Sequence, residues 1–357
     1  MVPTKNPRVP IQQDGDKLII GDQTIFFKSS TSMNELSDES IDIIITSPPY
    51  NRKKKYADEY NDNLPENEYY QLLGNVFSEC FRVLKKNCLF FLNIGDAAND
   101  QGKSEHVAQI AEKSGFTRIQ TIIWVKSFLG KGHYTPSGGN RRLNNLWEYI
   151  YMFAKGQNYQ IDPKAIGIPY ADKSNIGRYS DVDLRDPGNV WLINYSLTTG
   201  KTIKKGHEAP FPIELPYRCI KLAKKIRTVL DPFGGICSTL AAAHYLKLKG
   251  FAYEKYPKID VIKNRILNSQ FTPQKQILIP DMEKAIQYLS DLFNKLADIY
   301  PLTDLNKFVR SKFSSKKLER LLCILRDFNL ESDFLEQISR KLNKERLKSE
   351  KLEKFLK

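Results

Sequence analysis

Ile43-Ile44-Ile45-Thr46-Ser47-Pro48-Pro49-Tyr50-Asn51 joins a β-branched apolar run to a small hydroxyl residue, two prolines and an aromatic. The run predicts a buried strand. The prolines end it, because they lack backbone N–H donors and force an extended path. The carbonyls of Ser47 and Pro48 then have no local ladder to join. At the carboxyl end of a strand such a corner offers hydrogen-bond acceptors beside a flat ring. That suits a planar, amine-bearing group. Taken alone, the same residues also make an ordinary strand with a proline-rich turn.

Upstream of the corner, residues 1–16 read as a loose polar leader. Lys17-Leu18-Ile19-Ile20-Gly21-Asp22 is a short apolar strand ending in Gly-Asp, and residues 33–40 predict a short helix. The carboxylate of Asp22 can reach a ligand's amine or hydroxyl, or cap the next turn. Downstream, Asn51 to Pro65 has no periodicity and reads as a long loop beside a strand end, a usual place for function. Apolar residues at three and four spacing predict a helix over 66–86. Cys88 to Asp96 is a second buried strand; a helix over 104–114 and a strand over 118–126 follow. A Gly-, Asn- and Arg-rich stretch (127–145) then leads to a strand from Trp147 to Ala154. Between about 155 and 206 the pattern is lost, apart from the island Val190-Trp191-Leu192-Ile193. An irregular insert of this kind carries specificity or is a surface excursion.

Order returns with a helix over 213–225. Thr228-Val229-Leu230-Asp231-Pro232-Phe233-Gly234-Gly235 is a strand running into a glycine turn. A helix (Ser238 to Leu246) and a strand ending in an acid (Gly250 to Glu254) complete the unit. Strand, glycine turn, helix, strand and acid within about 30 residues follow the nucleotide-binding βαβ plan. The glycines let backbone N–H groups approach a ligand, and the last acid can take both hydroxyls of a ribose. Asp231, just before the turn, would repel a pyrophosphate but tolerate a sulfonium, which favours a cationic nucleoside over NAD. Residues 257–267 predict a helix and 276–279 a last short strand. From Asp281 onward the chain is amphipathic, helical and charged.

A net charge of +14 over 357 residues points to a polyanionic partner, nucleic acid first. No apolar run approaches the ~20 residues that cross a bilayer, and the first residues lack the apolar core of a signal peptide. A cytoplasmic protein without a membrane partner is expected. The five cysteines (Cys80, Cys88, Cys219, Cys237 and Cys323) are scattered without metal-ligand spacing, so reduced, mostly buried thiols and no metal are expected.

These motifs, in this order, resemble the β-class DNA amino-methyltransferases, which use S-adenosylmethionine. The resemblance covers residues 17–268. It rests on Ser47-Pro48-Pro49-Tyr50, on Asp231-Pro232-Phe233-Gly234-Gly235, on His207-Glu208-Ala209-Pro210-Phe211-Pro212 before that turn, and on the opening strand Lys17 to Asp22. It implies an α/β, Rossmann-like doubly wound methyltransferase sheet with an inserted recognition region and a small helical C-terminal appendix. The expected divisions are a leader (1–16), a catalytic half (17–154), a target-recognition insert (155–206, with the loop 127–145), a cofactor-binding half (207–280) and a helical C-terminal region (281–357).

The resemblance also implies roles. Ser47, Pro48, Pro49 and Tyr50 would be catalytic. Ser47 and the Pro48 carbonyl would accept the hydrogens of an exocyclic amine, with Tyr50 stacking on the flipped base. Asp22, Phe211, Pro212, Asp231, Phe233, Gly235 and Glu254 would hold the cofactor, with Asp22 near the adenine and Glu254 on the ribose. Arg141, Arg142, Lys201, Lys204 and Lys205 are candidates for DNA contact. Ser at the first corner position goes more often with cytosine N4, and Asp with adenine N6, so cytosine N4 in double-stranded DNA is expected, with adenine N6 as the alternative. No cysteine follows a proline, which excludes the nucleophile of carbon-5 cytosine methylation. The corner precedes the cofactor turn, the reverse of the usual order in enzymes that methylate protein amides. A cognate restriction endonuclease, and a monomeric or homodimeric state, complete the expectation. One departure stands out: the second glycine of the family's cofactor turn is Cys237 here, so the residue must avoid a positive φ or bear its cost. A non-catalytic DNA-binding homologue is the reading this change would favour.

Overall fold

A computed structural model describes residues 9–51, 63–96, 100–126, 145–170, 172–193, 211–268 and 271–273. The chain divides into two units. Met1–Tyr170 with Ser174–Pro273 contains every strand and helix named below; Ala171–Lys173 with Gln274–Lys357 falls almost wholly outside the described residues. The predicted strand at 276–279, the helical C-terminal region, and Arg141, Arg142, Lys201, Lys204 and Lys205 all lie outside them.

Among the described residues, ten strands form one sheet in the order β1-β2-β3-β10-β9-β4-β5-β7-β6-β8. They are β1 (Ile11–Asp14), β2 (Lys17–Ile20), β3 (Gln23–Phe26), β4 (Ile41–Thr46), β5 (Leu84–Ile94), β6 (Thr117–Val125), β7 (Trp147–Ala154), β8 (Val190–Leu192), β9 (Thr228–Asp231) and β10 (Lys249–Tyr253). Strands β3, β10, β9, β4 and β5 run parallel, whereas β7 is antiparallel to β5 and to β6. The helices are α1 (Glu66–Val83), α2 (Lys103–Lys113), α3 (Glu214–Leu222), α4 (Ser238–Tyr245) and α5 (Ile259–Leu267).

All six residues of β4 are buried, as a strand must be when helices cover both faces of a parallel sheet. Successive side chains point to opposite faces. Ile44 joins Phe90, Leu92 and the α1 residues Leu73, Val76 and Phe77 on one side. Ile43 and Ile45 join Leu89, Phe91, Leu215 and Ala242 on the other. The β4 register against β5 and β9 is therefore fixed by two cores at once.

Three expectations need correction. Ile11–Asp14, read as loose leader, pairs antiparallel with β2 as an edge strand. Residues 33–40 form turns rather than a helix, because side chains take up their backbone groups: Arg82 donates to the Met33 and Leu36 carbonyls, and Glu79 accepts the Met33 N–H. The island at Val190 is a strand of the main sheet, with Trp191 buried and the Trp124 indole donating to the Ile193 carbonyl at 2.8 Å. Among the described residues, no helix is long and apolar enough to cross a membrane, and no cluster of His, Cys, Asp or Glu could hold a metal ion.

Candidate active site

The sheet reverses its winding between β4 and β9: β5 follows β4 on one side, and β10 follows β9 on the other. Ligands of open α/β sheets bind outside the carboxyl ends at such a switch point. The Ser-Pro-Pro-Tyr corner leaves β4 there, and the glycine turn leaves β9 beside it.

The two are joined by a buried bracket. Asp231 is fully buried; Oδ1 accepts from Thr46 Oγ1 at 2.6 Å and from the Phe233 N–H at 3.1 Å, and Oδ2 accepts from Thr239 Oγ1 at 2.7 Å. Burial pushes its pKa up to about 6 against the pull of those donors. The expectation that Asp231 lines the ligand is corrected: its oxygens are committed inside the protein, and it supports the turn from behind. Asp42 makes the mirror-image link at the other end of the same strands, accepting from Thr228 Oγ1 at 3.0 Å.

Above this bracket the turn is open. Gly235 sits at φ +54, a left-handed position that favours glycine, and a Cβ there would meet nothing within 4 Å. Its N–H donates to Glu254 Oε2 at 2.7 Å, and the Tyr256 N–H donates to Oε1 at 2.9 Å. Burial raises the Glu254 pKa; the two N–H groups aim the carboxylate. Each oxygen retains a further lone pair, enough for two hydroxyls. Phe211 and Pro212 lie near this turn, since Arg265 Nη2 reaches both the Phe211 carbonyl (3.5 Å) and Ser238 Oγ (3.0 Å). Cys237 does take a left-handed conformation (φ +63, ψ +44), with its side chain buried beside Leu240 and Ile262.

Asp22 is not part of this constellation. It lies in the β2–β3 hairpin, its carbonyl bonded to the Gly250 N–H. Four residues of β10 separate Gly250 from Glu254, roughly 13 Å along a strand, so Asp22 is at the opposite edge of the sheet. The end of β3 is what lies beside Glu254, because the Phe26 carbonyl accepts from the Glu254 N–H at 2.9 Å.

The corner is held from several sides. Tyr69 of α1 donates to the Pro49 carbonyl at 2.8 Å, and Asn51 exchanges two hydrogen bonds with the backbone of Leu64. Among the described residues, no donor is bonded to the Pro48 carbonyl. Ser47 Oγ donates to Tyr50 Oη at 3.4 Å, and Tyr50 Oη donates to Glu148 Oε2 at 3.1 Å. Glu148 also accepts from Lys126 Nζ at 2.8 Å and Asn93 Nδ2 at 3.2 Å. Burial alone would raise its pKa; the Lys126 ammonium and the hydrogen bonds outweigh this and hold it below the usual carboxylate range. Sequence reading missed Glu148, Asn93 and Lys126. Their signal was faint: Glu148 is the one charged residue in the strand Trp147–Ala154.

The model of the N6/N4 DNA methylase family matches residues 41–263, more than half of the chain and both motifs of the site. The chain belongs to this DNA methylase family. The methylase is similar to the type II methyltransferase M.MjaI of Methanocaldococcus jannaschii, 29% identical over 271 residues, which span 64% of this chain and 86% of that protein. It is also similar to M.BglII of Bacillus subtilis, 27% identical over 277 residues, 71% of this chain and 70% of the relative. The solved structure of the PvuII DNA methyltransferase (cytosine-N4-specific) shares its fold, with TM-score 0.53 and 21% identity over 70% of this chain and 88% of that one. The methylase is thus an N4/N6-type DNA methyltransferase with a Rossmann-like fold, and its methyl donor is S-adenosylmethionine. The turn fits a nucleoside donor: open space over Gly235 and a carboxylate at Glu254 aimed by two N–H groups.

Proposed function

We propose that the methylase transfers the methyl group to N4 of cytosine in double-stranded DNA, at a specific site, as the modification partner of a restriction endonuclease. The observation that carries the choice of amine is Ser47 at the first corner position, its Oγ at the carboxyl edge of the sheet and its own proton directed to Tyr50. An exocyclic amine is a poor nucleophile because its lone pair is delocalised into the ring. Ser47 Oγ and the Pro48 carbonyl accept its two hydrogens and draw the nitrogen towards tetrahedral geometry. Catalysis is then positioning and electrostatics. Tyr50 offers a stacking face to a base taken out of the duplex. Glu254 holds the ribose hydroxyls of the donor; Gly235, Phe233, Phe211 and Pro212 surround the rest. When bound, S-adenosylmethionine supplies an electrophilic methyl group on sulfur. The endonuclease partner is suggested by the type II methyltransferases among the relatives.

Incubation with labelled S-adenosylmethionine and plasmid DNA, followed by nucleoside analysis, tests the reading. N4-methylcytosine is the expected product, and N6-methyladenine as the sole product would overturn it.

A further inference from the structure

A serine hydroxyl can donate or accept. Only the accepting orientation helps an amine, whose hydrogens must be drawn out; a proton turned towards them would oppose the approach. The corner itself does not decide between the two, because Ser47 is followed by prolines that lend it no donor. The decision is made 101 residues later in the chain, at Glu148.

An ionised carboxylate only accepts. Tyr50 Oη commits its single proton to Glu148 Oε2 at 3.1 Å, so Oη faces Ser47 as an acceptor at 3.4 Å, and the Ser47 proton is directed to it. The lone pairs of Ser47 are left for the substrate. Lys126 (2.8 Å) and Asn93 (3.2 Å) are donors, so both reinforce Glu148 as an acceptor. The backbone makes room for this arrangement: a Cβ on Gly95, just past the end of β5, would come within 2.6 Å of Glu148 Cγ. Lys126 and Glu148 could simply tie β6 to β7. That role alone leaves unexplained why Glu148 is also bonded to the corner's tyrosine.

We propose that Glu148 is a positioning residue for methyl transfer: it sets the direction of a Ser47–Tyr50–Glu148 hydrogen-bond chain, so that Ser47 meets the target amine as an acceptor. This rests on the reading of Ser47 given above. The same direction makes the site hostile to a carbonyl oxygen in place of the amine, since two acceptors would face each other.

The test uses the full chain, with kcat and KM for DNA and for S-adenosylmethionine measured on wild type, Ser47→Ala, Tyr50→Phe, Glu148→Gln and the double variant Tyr50→Phe/Glu148→Gln. Glutamine keeps the shape of Glu148 but lets an NH2 group donate to Tyr50, freeing the phenol to donate to Ser47. Losing one charge-assisted hydrogen bond predicts a fall in kcat of about tenfold to a hundredfold for Glu148→Gln, with both KM values near wild type. The double variant should be no slower than Tyr50→Phe alone, because Glu148 acts through Tyr50. Wild-type kcat in Glu148→Gln, or losses that multiply in the double variant, would overturn the proposal. Should Glu148→Gln fail to fold, wild-type kcat in Tyr50→Phe would overturn it as well. The two readings fail separately: an active Ser47→Ala sinks the role of Ser47, whereas an inactive Ser47→Ala beside a fully active Glu148→Gln sinks only that of Glu148.

Discussion

Cys237 shows how a single residue can keep a turn that its chemistry disfavours. A left-handed conformation costs a non-glycine residue about 1–2 kcal/mol, and Cys237 adopts it with its side chain fully buried. Cys237→Gly removes that strain but loses the buried sulfur and adds backbone freedom. Its stability in urea unfolding should therefore stay within about 1 kcal/mol of wild type. Cys237→Val puts a β-branched residue at the same φ and should lose more than about 2 kcal/mol. Asp231 gives a pH signature. Its folded pKa, raised by burial to about 6 from 3.8, means that the folded protein holds this proton more tightly than the unfolded chain. The stabilisation is fully present below about pH 4 and is lost as pH rises through about 6. The stability of Asp231→Asn relative to wild type should therefore climb across that interval, by on the order of 3 kcal/mol, and then level off. A flat difference in denaturation measured from pH 4 to 7 would contradict this. The sequence made the residues of the corner and the turn visible because each motif is local. Glu148 and the true position of Asp22 depend on which strand lies beside which, and no local pattern carries that.

At the scale of elements, the central strands were legible because the apolar runs of β4 and β5 are β-branched or aromatic, and the short β9 is marked by the glycine turn that follows it. The edges were not. Strand β1 is exposed throughout and Ile11 is its single apolar residue, so it has no hydrophobic pattern to read. Strand β8 has three residues, too few for a period to show. Yet β8 matters to the fold: Trp191 is 1% exposed, and the segment after it receives the Trp124 indole. Trp191→Ala should cost about 3–5 kcal/mol of unfolding free energy, measurable by urea denaturation, although the residue belongs to a stretch read as an irregular insert. Gly95→Ala tests the join of β5 and β7. The added methyl must displace Glu148, so methyl transfer should fall markedly while far-ultraviolet circular dichroism stays near that of wild type.

For the whole molecule, the charge of +14 sets an expectation about DNA. Affinity should fall linearly with salt on logarithmic axes, with a slope of about −0.9 for each phosphate neutralised. A salt-independent affinity in fluorescence anisotropy would leave the basic balance without this purpose. The order of the sheet has a consequence for how the chain comes off the ribosome. Strands β3 and β4 are made in succession but are never neighbours; the slot between them is filled by β9 and β10, whose residues begin at Thr228. Until those residues emerge, the growing chain holds two strand edges with nothing between them, which is the condition that invites mispairing between nascent chains. The seam beside β4, where the proposed site lies, thus closes only after Thr228 and the residues that follow it have been made. A chain halted after Ala154 should aggregate, and should be kept soluble by co-synthesis with residues 207–273.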